Sequence, residues 1–183
     1  MVASLVFLKK NMKNKIFLLI SVSIFFIIFI IFYKGLYKTN IYIPAVEMNM
    51  KIPKYSSRLF NSEEVVQYSE VFDLEGFYLL NIWSSWCVPC KDEHHLLMDL
   101  SKNEKIRLIG LNYKDDVNNA QKFLNELGNP FHSILLDIDG IQAIEWGAFG
   151  VPESFLIYKN EVVKKYIGPL NDDLLNEIKS LIK

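Results

Sequence analysis

The chain has 183 residues, with 20 basic and 21 acidic side chains, three histidines and two cysteines. That length holds one domain with a good core plus an appendage. The near-neutral balance gives no reason to propose nucleic acid as a partner, and two cysteines are too few for a disulfide framework.

The first third is unlike the rest. Lys9, Lys10, Lys13 and Lys15 precede Ile16 to Tyr33, 18 residues without a charge. As a helix this stretch spans about 27 Å, close to the hydrocarbon thickness of a bilayer. The lysines on its N-terminal side follow the positive-inside rule and keep residues 1–15 in the cytoplasm. Tyr33, Lys34, Gly35 and Leu36 match no small-residue cleavage site, so an uncleaved signal-anchor over 16–33 is expected. Setting those four lysines aside leaves 16 basic against 21 acidic residues, about −5 for the exported part. Residues 34–54, with Pro44 and Pro53, read as a linker, and 55–183 as the folded domain. Outside the cytoplasm that domain meets an oxidising compartment.

Within the domain, Asn61 to Val66 reads as a helix capped by Asn61 or Ser62. Phe72 to Gly76 reads as a turn feeding a short apolar strand, Leu79 to Trp83. Ser84 and Ser85 break the strand. A helix follows Cys90, with Leu96, Leu97 and Leu100 on one face and Glu93 pointing toward the same side. Ile106 to Asn112 is a second strand, apolar enough to be covered on both faces. Asp115 or Asp116 caps a helix through Ala120, Phe123, Leu124 and Leu127, which Gly128 and Pro130 end. Phe131 to Asp137 is a third strand, and Ile141 to Trp146 a short helical piece. Ser154 to Tyr158 and Val162 to Ile167 form a hairpin about Lys159-Asn160-Glu161. Asp172 starts an amphipathic last helix. Alternating strands and helices followed by a hairpin imply an α/β fold with a mixed central sheet flanked by helices.

The chemistry is concentrated in Trp86-Cys87-Val88-Pro89-Cys90. Two cysteines spaced C-x-x-C at a strand-to-helix junction are a redox site in outline. Cys87 stands just before the first helical turn, where free N–H groups and the helix dipole stabilise a thiolate. That makes Cys87 the attacking nucleophile, with Cys90 one turn on to resolve. Pro89 is tolerated because the first turn needs no N–H from it. Three other readings compete. An inert disulfide closing so short a loop gains little. A zinc site with His94 or His95 lacks the usual four ligands. Haem attachment needs a histidine directly after Cys90, where Lys91 stands.

The W-C-x-x-C after a hydrophobic strand resembles the thioredoxin superfamily from about residue 60 onward. More narrowly, LLNIWSSWCVPCKDEH followed by GAFGVPESFLIY resembles the DsbE/CcmG family, membrane-anchored periplasmic thioredoxin-like proteins of cytochrome c maturation. That resemblance implies a thioredoxin-like fold and a thiol-disulfide reductase. Its substrate would be apocytochrome c, or the partner that delivers it, with haem-attachment cysteines kept reduced. A transmembrane thiol-electron donor would recharge it. No cofactor and no metal are implied beyond the redox-active Cys87–Cys90 disulfide. The resemblance also implies a cis-proline at Pro152, with the Val151 backbone offered to an extended substrate, and a substrate surface at Trp86. Glu93 meets the family's acid after the motif. Asn81 stands where thioredoxin has a buried aspartate, so Glu93 or Glu153 must assist proton transfer. His95 replaces a proline that many members carry.

Other functions leave other marks. Disulfide oxidases of the best-known type insert a helical domain before the cis-proline, whereas ordinary elements fill the stretch from Asn112 to Pro152 here; a general oxidase or isomerase remains the alternative enzyme. A copper-holding dithiol module would call for methionine or histidine clusters, and Met48 and Met50 are far from the motif. No cysteine stands in a peroxidatic setting. His94, His95 and His132 read as structural, Trp83 as core, and Phe149 and Tyr158 as packing.

Overall fold

A computed structural model describes residues 2–37, 50–72 and 76–183. The chain divides into two units, Met1–Tyr42 and Ile43–Lys183. The first contains helix α1 (Val2–Tyr37), which runs past both ends of the expected 16–33 span. Within it Phe17–Lys34 is long and apolar enough to cross a membrane, and its side chains are exposed.

In chain order the second unit carries β1 (Met50–Lys51), β2 (Ser56–Leu59), β3 (Val65–Gln67), α2 (Tyr68–Val71), β4 (Phe77–Trp83) and α3 (Val88–Leu100). Then come β5 (Ile106–Tyr113), α4 (Val117–Leu127), β6 (Ser133–Asp137), α5 (Ile141–Glu145), β7 (Glu153–Tyr158), β8 (Glu161–Ile167) and α6 (Asp172–Leu181). The strands form one sheet in the order β1-β8-β7-β4-β5-β6-β2-β3. β4, β5 and β6 run parallel, while β7 is antiparallel to β4 and to β8. This is the mixed sheet flanked by helices that the alternating pattern implies.

The central strand explains its own composition. Tyr78, Leu80 and Ile82 enter a cluster on one face with Tyr68, Phe72, Trp146 and Phe155. Leu79 and Trp83 enter a second cluster with residues of α3, α4 and α6. With both faces covered, neither set of alternating positions can be polar without a partner. The one polar residue, Asn81, is fully buried on the second face and fixes where the site forms.

The caps follow the sequence closely. Asp116 accepts from the Asn118 and Asn119 N–H groups at the head of α4, and Gly128, at φ +91°, ends it. Asn171 caps α6 by accepting from Leu174 N–H. The β7–β8 hairpin turns on Lys159 and Asn160, both with positive φ, as a tight two-residue turn requires.

Two expectations are corrected. Residues 61–66 do not form a helix: Asn61 has φ +56° in a turn, and Val65–Gln67 is a strand paired with Ser56–Arg58. Two adjacent β-branched valines favour the extended chain, and a hairpin onto β6 supplies the hydrogen bonds. The sheet also begins inside the supposed linker, because Met50 and Lys51 pair with Val162 and Glu161. Most of the remaining linker, and the turn expected within Phe72–Gly76, lie outside the described residues.

Candidate active site

Cys87 and Cys90 are joined by a disulfide at the C-terminal end of β4, with Cα atoms 5.3 Å apart. Cys87 is the N-cap of α3, and Cys90 N–H donates to its sulfur at 3.2 Å. The first turn of α3 therefore directs the Cys90 N–H, one of the helix's otherwise unpaired donors, at Cys87 Sγ. Both cysteines are nearly inaccessible in this oxidised form and belong to the same apolar cluster as Trp83 and Leu97. Beside them Trp86 is 56% exposed and Val88 70%, an apolar rim on the solvent side of the dithiol.

One turn along α3, Glu93 is buried at 1% exposure. Its Oε1 accepts from the Asn81 amide at 2.9 Å, and its Oε2 accepts from Leu170 N–H at 2.6 Å. Asn81 also donates to Ser154 Oγ at 3.0 Å. Burial pushes the Glu93 carboxyl up to about 7, against the opposing pull of the Leu170 and Asn81 hydrogen bonds. No cation balances it among these contacts. A carboxyl held there exchanges a proton near neutral pH, which suits a group assisting a thiol.

A second segment braces the turn that carries Cys87. Ser84 Oγ donates to the Tyr113 carbonyl at 2.5 Å, and Ser85 N–H and Oγ donate to the two Asp115 oxygens at 2.6 and 2.7 Å. Asp115 also accepts from Asn112 Nδ2 and Asp116 N–H. Trp86 Nε1 donates to the Lys114 carbonyl at 3.1 Å. Sequence reasoning weighed Asp115 only as a helix cap. Asp116 takes that job, which frees Asp115 to face the neighbouring turn, and the adjacent pair of aspartates was the available signal.

The third segment is the loop before β7. The Val151–Pro152 peptide is cis. Because β7 is antiparallel to β4, with Glu153 opposite Ile82, this loop lies at the same end of the sheet as the Cys87 turn. Val151 packs against both core clusters. The structure separates the two proposed acids. Ser154 faces Asn81, so Glu153, its neighbour in an extended strand, points to the other face. There Glu153 Oε1 accepts from Phe149 and Gly150 N–H at 2.6 and 3.0 Å. Phe149, read from sequence as packing, is 73% exposed, because the loop closes on its own backbone instead of burying the ring. Tyr158 does pack, stacked on Phe77. His94 is buried and paired with the Gly128 carbonyl, while His95 and His132 are exposed; no cluster of metal-ligating side chains occurs among the described residues.

Known proteins resemble this chain. The family model Redoxin matches residues 47–180. The thiol:disulfide interchange protein DsbE of Escherichia coli (strain K12) is 36% identical over 127 residues, 69% of this chain and 68% of that one. The chain belongs to the DsbE/CcmG branch of the redoxins. Relatives in this branch include the thiol:disulfide interchange protein CycY of Rhizobium leguminosarum bv. viciae, 43% identical over 100 residues, 54% of each chain. DsbE of Yersinia pestis is 45% identical over 119 residues, 62% of this chain and 63% of that one. The aligned region thus spans about half to two thirds of these relatives' length. Among solved structures, a Chlorobium tepidum protein described as DsbE superposes with a TM-score of 0.64 at 22% identity, over 76% of this chain and all of that one. StoA of Bacillus subtilis gives 0.54 at 25% identity, over 74% of this chain and 99% of that one. These likenesses support the thioredoxin-like fold of the redoxin unit.

Proposed function

We propose that this redoxin is a membrane-anchored thiol-disulfide reductase of the periplasm that keeps the haem-attachment cysteines of apocytochrome c, or of a delivery partner, reduced. The observation that carries the chemistry is the Cys87–Cys90 pair at the head of α3 with buried Glu93 one turn beyond. The names of the relatives support thiol-disulfide interchange; the cytochrome c substrate rests on the resemblance of the two motifs, and the location on the lysine-flanked apolar segment of α1.

In the reductive cycle the Cys87 thiolate attacks a substrate disulfide. A Cys87–substrate disulfide forms, the substrate S–S bond breaks, and the leaving substrate sulfur takes a proton. Cys90 then gives its proton to the Glu93 carboxylate and attacks Cys87 Sγ. The Cys87–Cys90 disulfide closes, and the second substrate sulfur leaves as a thiolate and takes up the proton that Glu93 gives back. Two electrons have passed from the dithiol to the substrate, and a membrane dithiol donor reverses the exchange to restore the enzyme. The side chains of Trp86 and Val88 and the Val151 backbone are the surfaces an incoming segment would meet, with Pro152 shaping the loop that presents Val151.

Cys90→Ser should leave a substrate trapped on Cys87, and Cys87→Ser should trap nothing. If a periplasmic pull-down with Cys90→Ser yields no cysteine-linked apocytochrome or maturation protein, the cytochrome reading fails while thiol exchange stands. A reporter fused after Lys183 should be active only outside the cytoplasm; activity inside would overturn the topology.

A further inference from the structure

Lys165 lies on β8 beside Lys164, whose side chain is 43% exposed. The Lys165 side chain is instead 3% exposed. The ammonium sits 2.8 Å from Glu153 Oε2, whose own side chain is 2% exposed, and donates to the Gly147 carbonyl at 2.7 Å. It lies over the Phe149 ring at 4.4 Å and the Phe155 ring at 5.2 Å. Glu153 meanwhile holds the Phe149 and Gly150 N–H groups. Every polar contact of this buried pair therefore ends on the four residues before Val151. A buried charge pair is a poor source of stability compared with apolar packing of the same volume, so its concentration on one loop calls for another explanation.

The geometry points to Lys165 as a positioning residue. Through Glu153 and the Gly147 carbonyl it fixes the loop Gly147–Gly150, and it holds the exposed Phe149 ring as a contact surface for a protein substrate at the dithiol end of the sheet. The ammonium covers one face of the ring and leaves the remainder outward, beside the segment whose backbone continues into Val151. Fixing the loop beforehand removes an ordering cost from the encounter with an extended peptide. A small disulfide that touches only the sulfurs would not use this surface. The inference deepens the reductase reading and rests on it.

The test uses the full chain in detergent with two substrates, glutathione disulfide and an oxidised peptide bearing a C-x-x-C-H sequence. Phe149→Ala, a surface change, should lower kcat/KM for the peptide by about tenfold, mostly through KM, the scale of one lost specific contact. Glutathione disulfide turnover and the reduction potential should not move. Lys165→Met should do the same, and combining it with Phe149→Ala should add little, because both act through one ring. Lys165→Met/Glu153→Gln, which leaves no unpaired buried charge and keeps a side-chain oxygen to accept from the Phe149 and Gly150 N–H groups, guards against a folding failure. It should melt like the parent, keep glutathione disulfide turnover and still lose peptide turnover. If that double variant regains full peptide turnover, the pair is structural only and the proposal is overturned. Unchanged peptide kinetics in Phe149→Ala would also overturn it. Loss of glutathione disulfide turnover in the parent chain would instead defeat the reductase reading.

Discussion

Glu93 and Glu153 occupy opposite faces of the central sheet. Glu93 rises from α3 into the face that holds Asn81, Ser154 and both cysteines. Glu153 lies on the other face, among Lys165 and the loop N–H groups. Two carboxylates that look interchangeable beside a C-x-x-C thus have different surroundings, and only Glu93 shares the buried environment of the dithiol.

A buried, unpaired Glu93 makes both stability and turnover depend on pH. Its folded pKa, about 7, lies above the ordinary 4.5, so the folded protein binds the extra proton between those values. Stability is therefore fully present at low pH and falls as pH rises through about 7, by at most on the order of 3 kcal/mol. Resolution by Cys90 runs the opposite way, since only the carboxylate can take the proton. Glu93→Gln should flatten the melting temperature between pH 5 and pH 8 and slow resolution by about 10²-fold. Stopped-flow tryptophan fluorescence and thermal melts across that range read both effects. A pH slope in stability that survives the substitution would remove Glu93 as its source.

Asp115 ties two neighbouring turns together. Its oxygens take Ser85 N–H and Oγ at 2.6 and 2.7 Å, and also Asn112 and Asp116. Asp115→Ala leaves Ser85 N–H without a protein partner, a loss of about 1–3 kcal/mol. Because Ser85 is two residues before Cys87, dithiol exchange should slow as well. Asp116→Ala removes only the α4 cap, at about 1 kcal/mol, and should leave exchange rates unchanged. Urea midpoints and exchange with glutathione disulfide separate the two; equal loss of exchange in both variants would deny Asp115 this bracing role.

Much of this was legible beforehand, for local reasons. The apolar run into W-C-x-x-C marked β4 and α3, because strand propensity, the proline in the first turn and the leucine stripe agree over a short stretch. Asp116, Gly128 and Asp172 marked helix ends by their own chemistry. What escaped notice is held by distant partners. Val65–Gln67 becomes a strand because β2 pairs it and is itself paired to Leu135 and Leu136. Lys165 is buried by contacts with residues that precede it in the chain by as many as 18 positions, and Phe149 is bared by the same contacts. Nothing in a lysine's immediate neighbours announces a buried partner.

Gly110 shows how close the second face comes to its limit. It pairs with Asn81 and Ile134 on adjacent strands. A Cβ there would lie 2.8 Å from Trp83 Nε1 and 3.0 Å from Phe131 Cγ, two rings that stack on each other at 5.6 Å. Gly110→Ala must push Trp83, the residue that ends β4 just before the site. A loss of about 1–3 kcal/mol is expected, with a change in tryptophan fluorescence of the folded state. A variant as stable as the parent, with unaltered emission, would show that the rings yield freely.

The direction of the chemistry is the last and most decisive measurement. A dithiol protein acts as an oxidant when its thiolate is strongly stabilised, with a potential near −120 mV in the extreme case, because that favours its own reduced form. Here the helix N-terminus favours a Cys87 thiolate, but Val88 and Pro89 between the cysteines bring no positive charge. One turn along α3 stands the buried Glu93, whose charge opposes a second negative charge on sulfur. The Cys87–Cys90 couple should therefore have a potential on the order of −200 mV or lower. Glu93→Gln should shift it upward, toward the oxidants, by relieving that opposition above about pH 7. Equilibration with glutathione buffers, read by thiol alkylation and mass, gives both values. A parent potential near −120 mV would sink the reductase reading in favour of a disulfide oxidase, and an unmoved potential in Glu93→Gln at pH 8 would show that its carboxylate does not reach the sulfurs.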